Sequence, residues 1–276
     1  MWWLLRRLGG RLARFLSKPR PGFAFAPTCA PELLARTLRK GDVLLIEGTS
    51  RFSMAIKYIT QSNWSHAALV VAEADDQNQA PLQSCRLIEA DVNVGVRTLP
   101  LAEYAHGHTR ICRPVGLTEA DIDHVIDYAE TRLGHQYDLK NVVDLARYLI
   151  QTPPVPIRWR RRLLALGSGD PTKAICSSLI AQAFQSVRYP ILPEISREAS
   201  ADPQCRDCYD ELLHIRHYSL FAPRDFDISP YFRIVKPTLE DDFDPYSLSW
   251  DLAGPDPGDE PVAAGAAPGP PRSSGL

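Results

Sequence analysis

The sequence predicts one globular domain of mixed helices and strands with ragged ends, and three observations predict it. At 276 residues, 45% hydrophobic and with charges of both signs, the chain is long enough for one substantial core. Short apolar or β-branched runs bounded by turn residues recur between residues 43 and 114, which is a strand signal. Two later segments, one starting at Thr118 and one carrying Cys176, place apolar residues at helical spacing. The formal charge of -2 gives no electrostatic reason to expect a nucleic-acid binder. Six cysteines at wide, irregular spacing do not read as a disulfide framework, so a reducing compartment is the simpler expectation.

Residues 1–21 form a first unit. Leu4, Leu5, Leu8, Leu12, Phe15 and Leu16 fall on one helical face and Arg7, Arg11, Arg14 and Lys18 on another, behind Trp2 and Trp3. The apolar run from Trp2 to Leu5 is too short for a signal-peptide core or a membrane span, whereas the basic amphipathic pattern suits either an anionic membrane surface or a helix packed on the domain or a frayed terminus. Residues 22–38 read as a proline-bearing linker and a short helix with Leu33, Leu34 and Leu38. Gly41 and Asp42 then make a turn into a buried strand, Val43 to Ile46. A helix capped by Ser50 runs to Ile59, and a second strand starts at His66. Asp75 to Ser84 is a polar loop, followed by strands at Cys85 to Ala90 and Val94 to Leu99, a short helical piece at Leu101 to Ala105, and a strand at Arg110 to Pro114. Thr118-Glu119-Ala120-Asp121 resembles a capping box, with Ile122, Val125, Ile126 and Ala129 behind it. That helix ends at Gly134, and another opens there and reaches Leu149. The proline-rich Gln151 to Pro156 and the basic Arg158 to Arg162 read as an exposed excursion. Ser196 to Ser219 is expected to be irregular, Tyr231 to Val235 to close the sheet, and residues 238–276 to form a tail disordered from about 255.

Cys176 is the candidate nucleophile. Leu179, Ile180, Ala183, Phe184 and Val187 bury one face of its helix and leave the thiol in the first turn. Unpaired N–H groups and the positive dipole end stabilise a thiolate there. Cysteine hydrolysis also needs an imidazole and a polar group to orient it. His66, at the start of one strand, and Glu89, within the next, supply both if neighbouring antiparallel strands bring them into reach.

The ordered set Gly41-Asp42-Val43-Leu44-Leu45, Trp64-Ser65-His66-Ala67-Ala68, Leu87-Ile88-Glu89-Ala90, Gly134 with Tyr137-Asp138, and Ile175-Cys176-Ser177 resembles the permuted papain-like cysteine hydrolases of the YiiX-like, NlpC-related group. The resemblance spans residues 39–237, and in this group the histidine precedes the nucleophile. It implies an α+β fold, a circularly permuted papain-like (NlpC-like) arrangement with an antiparallel sheet packed against helices. It maps Cys176 to the nucleophile, His66 to the base and Glu89 to the orienting residue, and it implies a site position for Tyr137. Ser65 and Ser177, beside the histidine and the cysteine, join Tyr137 as candidates for substrate contact. Where the group often has Cys-Ser-Glu, this chain has Cys176-Ser177-Ser178.

The implied activity is that of an amidase or peptidase on a small peptide, amide or acyl substrate, working through an acyl-enzyme without a cofactor or metal. Lipid-directed acyltransferases and thioesterases share the same chemistry and are the enzymatic alternative, and a non-catalytic binding module is the third. Cys205, Cys208, His214 and His217 form a competing zinc candidate, although the spacing before His214 is shorter than in common finger patterns. His106 and His108 read as exposed loop residues. With no recognisable export signal, the expectation is a cytoplasmic enzyme, peripheral on the inner membrane surface if residues 1–21 bind it.

Overall fold

The computed structural model describes residues 18, 26–75, 80–91, 94–135, 175–199, 209–241 and 244. The amphipathic segment 1–17, the helix expected up to Leu149, the excursion at 151–162 and the tail from 245 therefore lie outside the described residues. The body falls within residues 1–241. Its helices are α1 (Pro31–Thr37), α2 (Arg51–Thr60), α3 (Pro81–Ser84), α4 (Glu119–Glu130), α5 (Ile175–Ser186), α6 (Pro223–Asp227) and α7 (Pro237–Glu240). Its strands are β1 (Val43–Ile46), β2 (His66–Ala72), β3 (Arg86–Asp91), β4 (Gly95–Pro100), β5 (Thr109–Pro114), β6 (Glu194–Ala199), β7 (Tyr209–His214) and β8 (Phe232–Val235).

Six strands form one antiparallel sheet in the order β4-β3-β2-β1-β5-β8. Period-two alternation divides its side chains between two layers. Val43, Leu45, Ala67, Leu69, Ile88 and Ala90 meet Leu179, Ile180, Ala183 and Phe184 of α5, with Val125 and Ala129 of α4 behind. Leu44, Ile46, Ala68, Val70, Leu87, Leu99 and Ile111 face Leu34, Ala35 and Leu38 around α1. The fold is thus α+β, an antiparallel sheet between helices. Because α1 and Leu38 are buried in this second layer, the packed body begins before Arg39, where the motifs begin.

Local chemistry explains the elements nearest the site. Gly41 adopts φ +82, a left-handed conformation in which an L side chain is strained, and its N–H donates to the Val70 carbonyl at 2.9 Å. The turn aims Asp42 inward, where it accepts from Arg113 Nε at 2.8 Å, from a second Arg113 nitrogen at 2.7 Å and from the Arg39 N–H at 2.9 Å. Ser50 caps α2 by accepting from the Ser53 N–H, and the expected capping box of Thr118 and Asp121 starts α4.

Two expectations need correction. The polar loop at 75–84 contains the short helix α3, begun by Pro81, which needs no N–H at the first helical position. The stretch 196–219 is not wholly irregular, since β6 and β7 pair as a two-stranded hairpin. Their sequences, EISREA and YDELLH, lack the strict apolar alternation by which half-buried strands are recognised.

Candidate active site

Antiparallel register builds the site. Ile46 at the end of β1 pairs with His66 at the start of β2, so the ring emerges at an end of the sheet. Leu69 pairs with Ile88, and continuing that register puts Glu89 opposite Ala68, diagonal to His66 on the same face. His66 Nε2 lies 2.5 Å from Glu89 Oε2. The Cys176 sulfur at the tip of α5 is the other group that acts on the ring, and both residues line one cleft. Since Nε2 is occupied by Glu89, Nδ1 is the nitrogen left for sulfur. Cys176, His66 and Glu89, expected from three separate segments, are brought together.

Two further residues at this centre were not anticipated. Arg97 pairs directly with Glu89 across β3 and β4, and its Nε donates to Glu89 Oε1 at 2.8 Å. Tyr104 Oη donates to Glu89 Oε2 at 2.5 Å. An arginine opposite a carboxylate is a readable cross-strand signal once the hairpin register is known. The Tyr104 contact depends on how residues 101–105 turn back over the sheet, which no local pattern announces.

These contacts determine the electrostatics. Burial of the wholly enclosed Glu89 side chain opposes its charge, but the His66 hydrogen bond and charge, the Tyr104 hydroxyl and the Arg97 cation prevail and hold its carboxyl at about 2. Burial likewise opposes a charge on His66. The Cys176 sulfur and then Glu89 outweigh it, so the imidazolium persists well above the usual histidine range. By contrast, burial pushes the Cys85 thiol up to about 12 and raises the Cys112 thiol as well. Those two cysteines fill the core.

A cleft of about 240 Å³ opens over the centre, lined by His66, Cys176, Tyr104 and Ser65 together with the loop at 48–50 and the inner side of α2. Ser65 is buried and accepts from the Gly48 N–H at 2.9 Å, which ties the cleft wall to the histidine strand. A Cβ on Gly48 would come 2.2 Å from Ser53 Oγ and 2.9 Å from Ser65 Oγ, so only glycine fits there unshifted. Ser177 lies elsewhere. Its hydroxyl, fully buried, donates to the Phe221 carbonyl at 2.7 Å, and this anchors α5 instead of facing the cleft. Tyr137 lies outside the described residues.

Among the described residues, no group of three or more His, Cys, Asp or Glu side chains is arranged to hold a metal. Cys205 and Cys208 lie outside those residues, while His214 pairs with Ser196 Oγ at 2.7 Å and His217 with Ser219 Oγ at 2.8 Å. His108 differs from the exposed loop residue expected. Its Nδ1 lies 2.7 Å from Glu47 Oε2 and its ring packs against Trp64.

A sheet bearing the histidine and acid, followed in the chain by a helix bearing the cysteine, defines a permuted papain-like arrangement. Residues 37–148 match the family described as "Permuted papain-like amidase enzyme, YaeF/YiiX, C92 family". Over this segment, which is less than half of the chain, the protein is similar to that family, which is one of amidases with papain-like cysteine-hydrolase chemistry at family level. The match includes His66 and Glu89 and ends before Cys176. Among solved structures, the chain is similar to one described as "Crystal structure of metalloprotein yiiX from Escherichia coli O157:H7, DUF1105", with 17% identity and a TM-score of 0.42 over 71% of this chain and 96% of that one. No curated protein matches the chain.

Proposed function

We propose that the protein is a cysteine amidase or peptidase that works through an acyl-enzyme on Cys176. The observation that carries this reading is the chain of interactions from Cys176 to His66 to Glu89 at the floor of an open cleft. The Cys176 sulfur, its proton held on His66, attacks an amide carbonyl and forms a C–S bond. The carbonyl electron pair moves to oxygen, where backbone N–H groups in the first turn of α5 stabilise it. As the intermediate collapses, the C–N bond breaks and His66 passes its proton to the departing amine. Water then gives a proton to His66 and attacks the thioester, and the C–S bond breaks to release the acid. Glu89 keeps the ring oriented and charged without taking the proton itself.

Ester and thioester substrates would use the same groups, so the acyl group distinguishes an amidase from a lipid-directed transferase or thioesterase. The test is to incubate the protein with amide and acyl-ester libraries and to identify the adduct on Cys176 by mass spectrometry. Cys176→Ala should form no adduct and show no turnover while its circular dichroism is unchanged. Undiminished turnover by that variant would refute the assignment.

A further inference from the structure

Three side chains hold Glu89 in place. Its Oε2 takes His66 Nε2 and Tyr104 Oη at 2.5 Å each, while Oε1 takes Arg97 at 2.8 Å. An ionised carboxylate has about four lone-pair sites, and donors on both oxygens leave it one orientation. The charged and titratable groups around this centre are Cys176 on α5, Arg97 on β4, Tyr104, Asp91 at the cleft wall, and Glu103, which lies 3.4 Å from Arg97 on its outer side.

This arrangement meets a chemical difficulty. An imidazole between a cysteine sulfur and a carboxylate that both raise its proton affinity binds its proton strongly, yet amide cleavage requires that proton to leave for the amine. A general acid works best when its proton affinity lies near the operating pH. The guanidinium of Arg97 is the nearby cation that offsets the Glu89 charge, and its side chain is only about a third exposed, at 34%.

Resting on the catalytic reading above, we propose that Arg97 and Tyr104 are positioning residues that lock Glu89 and moderate its charge, so that His66 holds a proton it can still release. Tyr104 supplies the lock from the cleft side and Arg97 supplies both lock and countercharge. The role of Arg97 depends on its positive charge, so lysine should preserve most of it and methionine none.

The test is a histidine-selective NMR titration of His66 in the full chain, comparing the wild type with Arg97→Met, Arg97→Lys, Tyr104→Phe and Cys176→Ala. Arg97→Met should raise the His66 pKa by about one unit, since a cation that opposes the imidazolium is gone. Arg97→Lys should stay close to wild type, and Tyr104→Phe should move it upward by a smaller amount. An unchanged or lowered His66 pKa in Arg97→Met overturns the proposal, as does a lysine variant that behaves like methionine. If Arg97→Met does not fold, the lysine and phenylalanine variants decide it by the same criteria. Cys176→Ala separates this proposal from its foundation. Loss of the thiol should lower the His66 pKa, and if it leaves the titration unmoved, the Cys–His pairing itself fails whatever Arg97 does.

Discussion

Replacement of Glu89 by glutamine is the most informative single perturbation of the centre. The side chain keeps its shape and loses its charge, while His66, Tyr104 and Arg97 still direct donors at it. In the native protein these donors lower the carboxyl from 4.5 to about 2. That is a roughly 300-fold change in proton binding, worth about 3 kcal/mol of folding free energy. The glutamine N–H2 group also faces donors instead of acceptors, so the expected loss at neutral pH is about 3–5 kcal/mol, as for other broken buried ion pairs. The sign with pH follows from the two directions. Glu89, lowered on folding, stabilises fully above 4.5 and loses that contribution as pH falls through about 2. His66, raised on folding, stabilises fully below 6.5 and loses that contribution as pH rises through its higher folded value. The wild type should therefore exceed Glu89→Gln by most between pH 4.5 and 6.5, and the gap should shrink in acid. Denaturant unfolding of both proteins from pH 3 to 8 measures it. A gap below about 1 kcal/mol at pH 5.5, or one that stays constant down to pH 3, would refute the electrostatic account.

Three other outcomes can be checked on the same preparations. Arg113→Met strands the buried Asp42 carboxylate, so the stability measured by denaturant should drop by about 3–5 kcal/mol while Cys176 alkylation in the folded fraction keeps its rate. Phe184→Ala removes a fully buried ring that packs edge-on against Phe232 at 5.2 Å, and about 3–5 kcal/mol should be lost in the same assay. Brief iodoacetamide treatment followed by peptide mapping should modify Cys176 well before Cys85 or Cys112, because burial raises both of those thiols and Cys176 opens on the cleft.

Local patterns carried much of this protein. The face of α5 was legible because Leu179, Ile180, Ala183 and Phe184 recur at helical spacing, and all four are buried against the sheet. The capping box at Thr118 and the Gly41-Asp42 turn were legible because caps and tight turns are set by a few neighbouring residues. Cys176, His66 and Glu89 were nameable one by one from their own segments. Their meeting, with the thiol and the carboxylate both acting on the ring, needed the β1–β2 and β2–β3 register and the seating of α5. Register and helix docking minimise the free energy of the whole core, so residues far apart in sequence decide them. For the same reason Arg97 and Tyr104 came to light at Glu89 in three dimensions, and Ser177, adjacent to the nucleophile in sequence, turned to the Phe221 carbonyl. The chemistry of each group was written in its residue type, and the partner that charges, orients or occupies it was assigned by the fold.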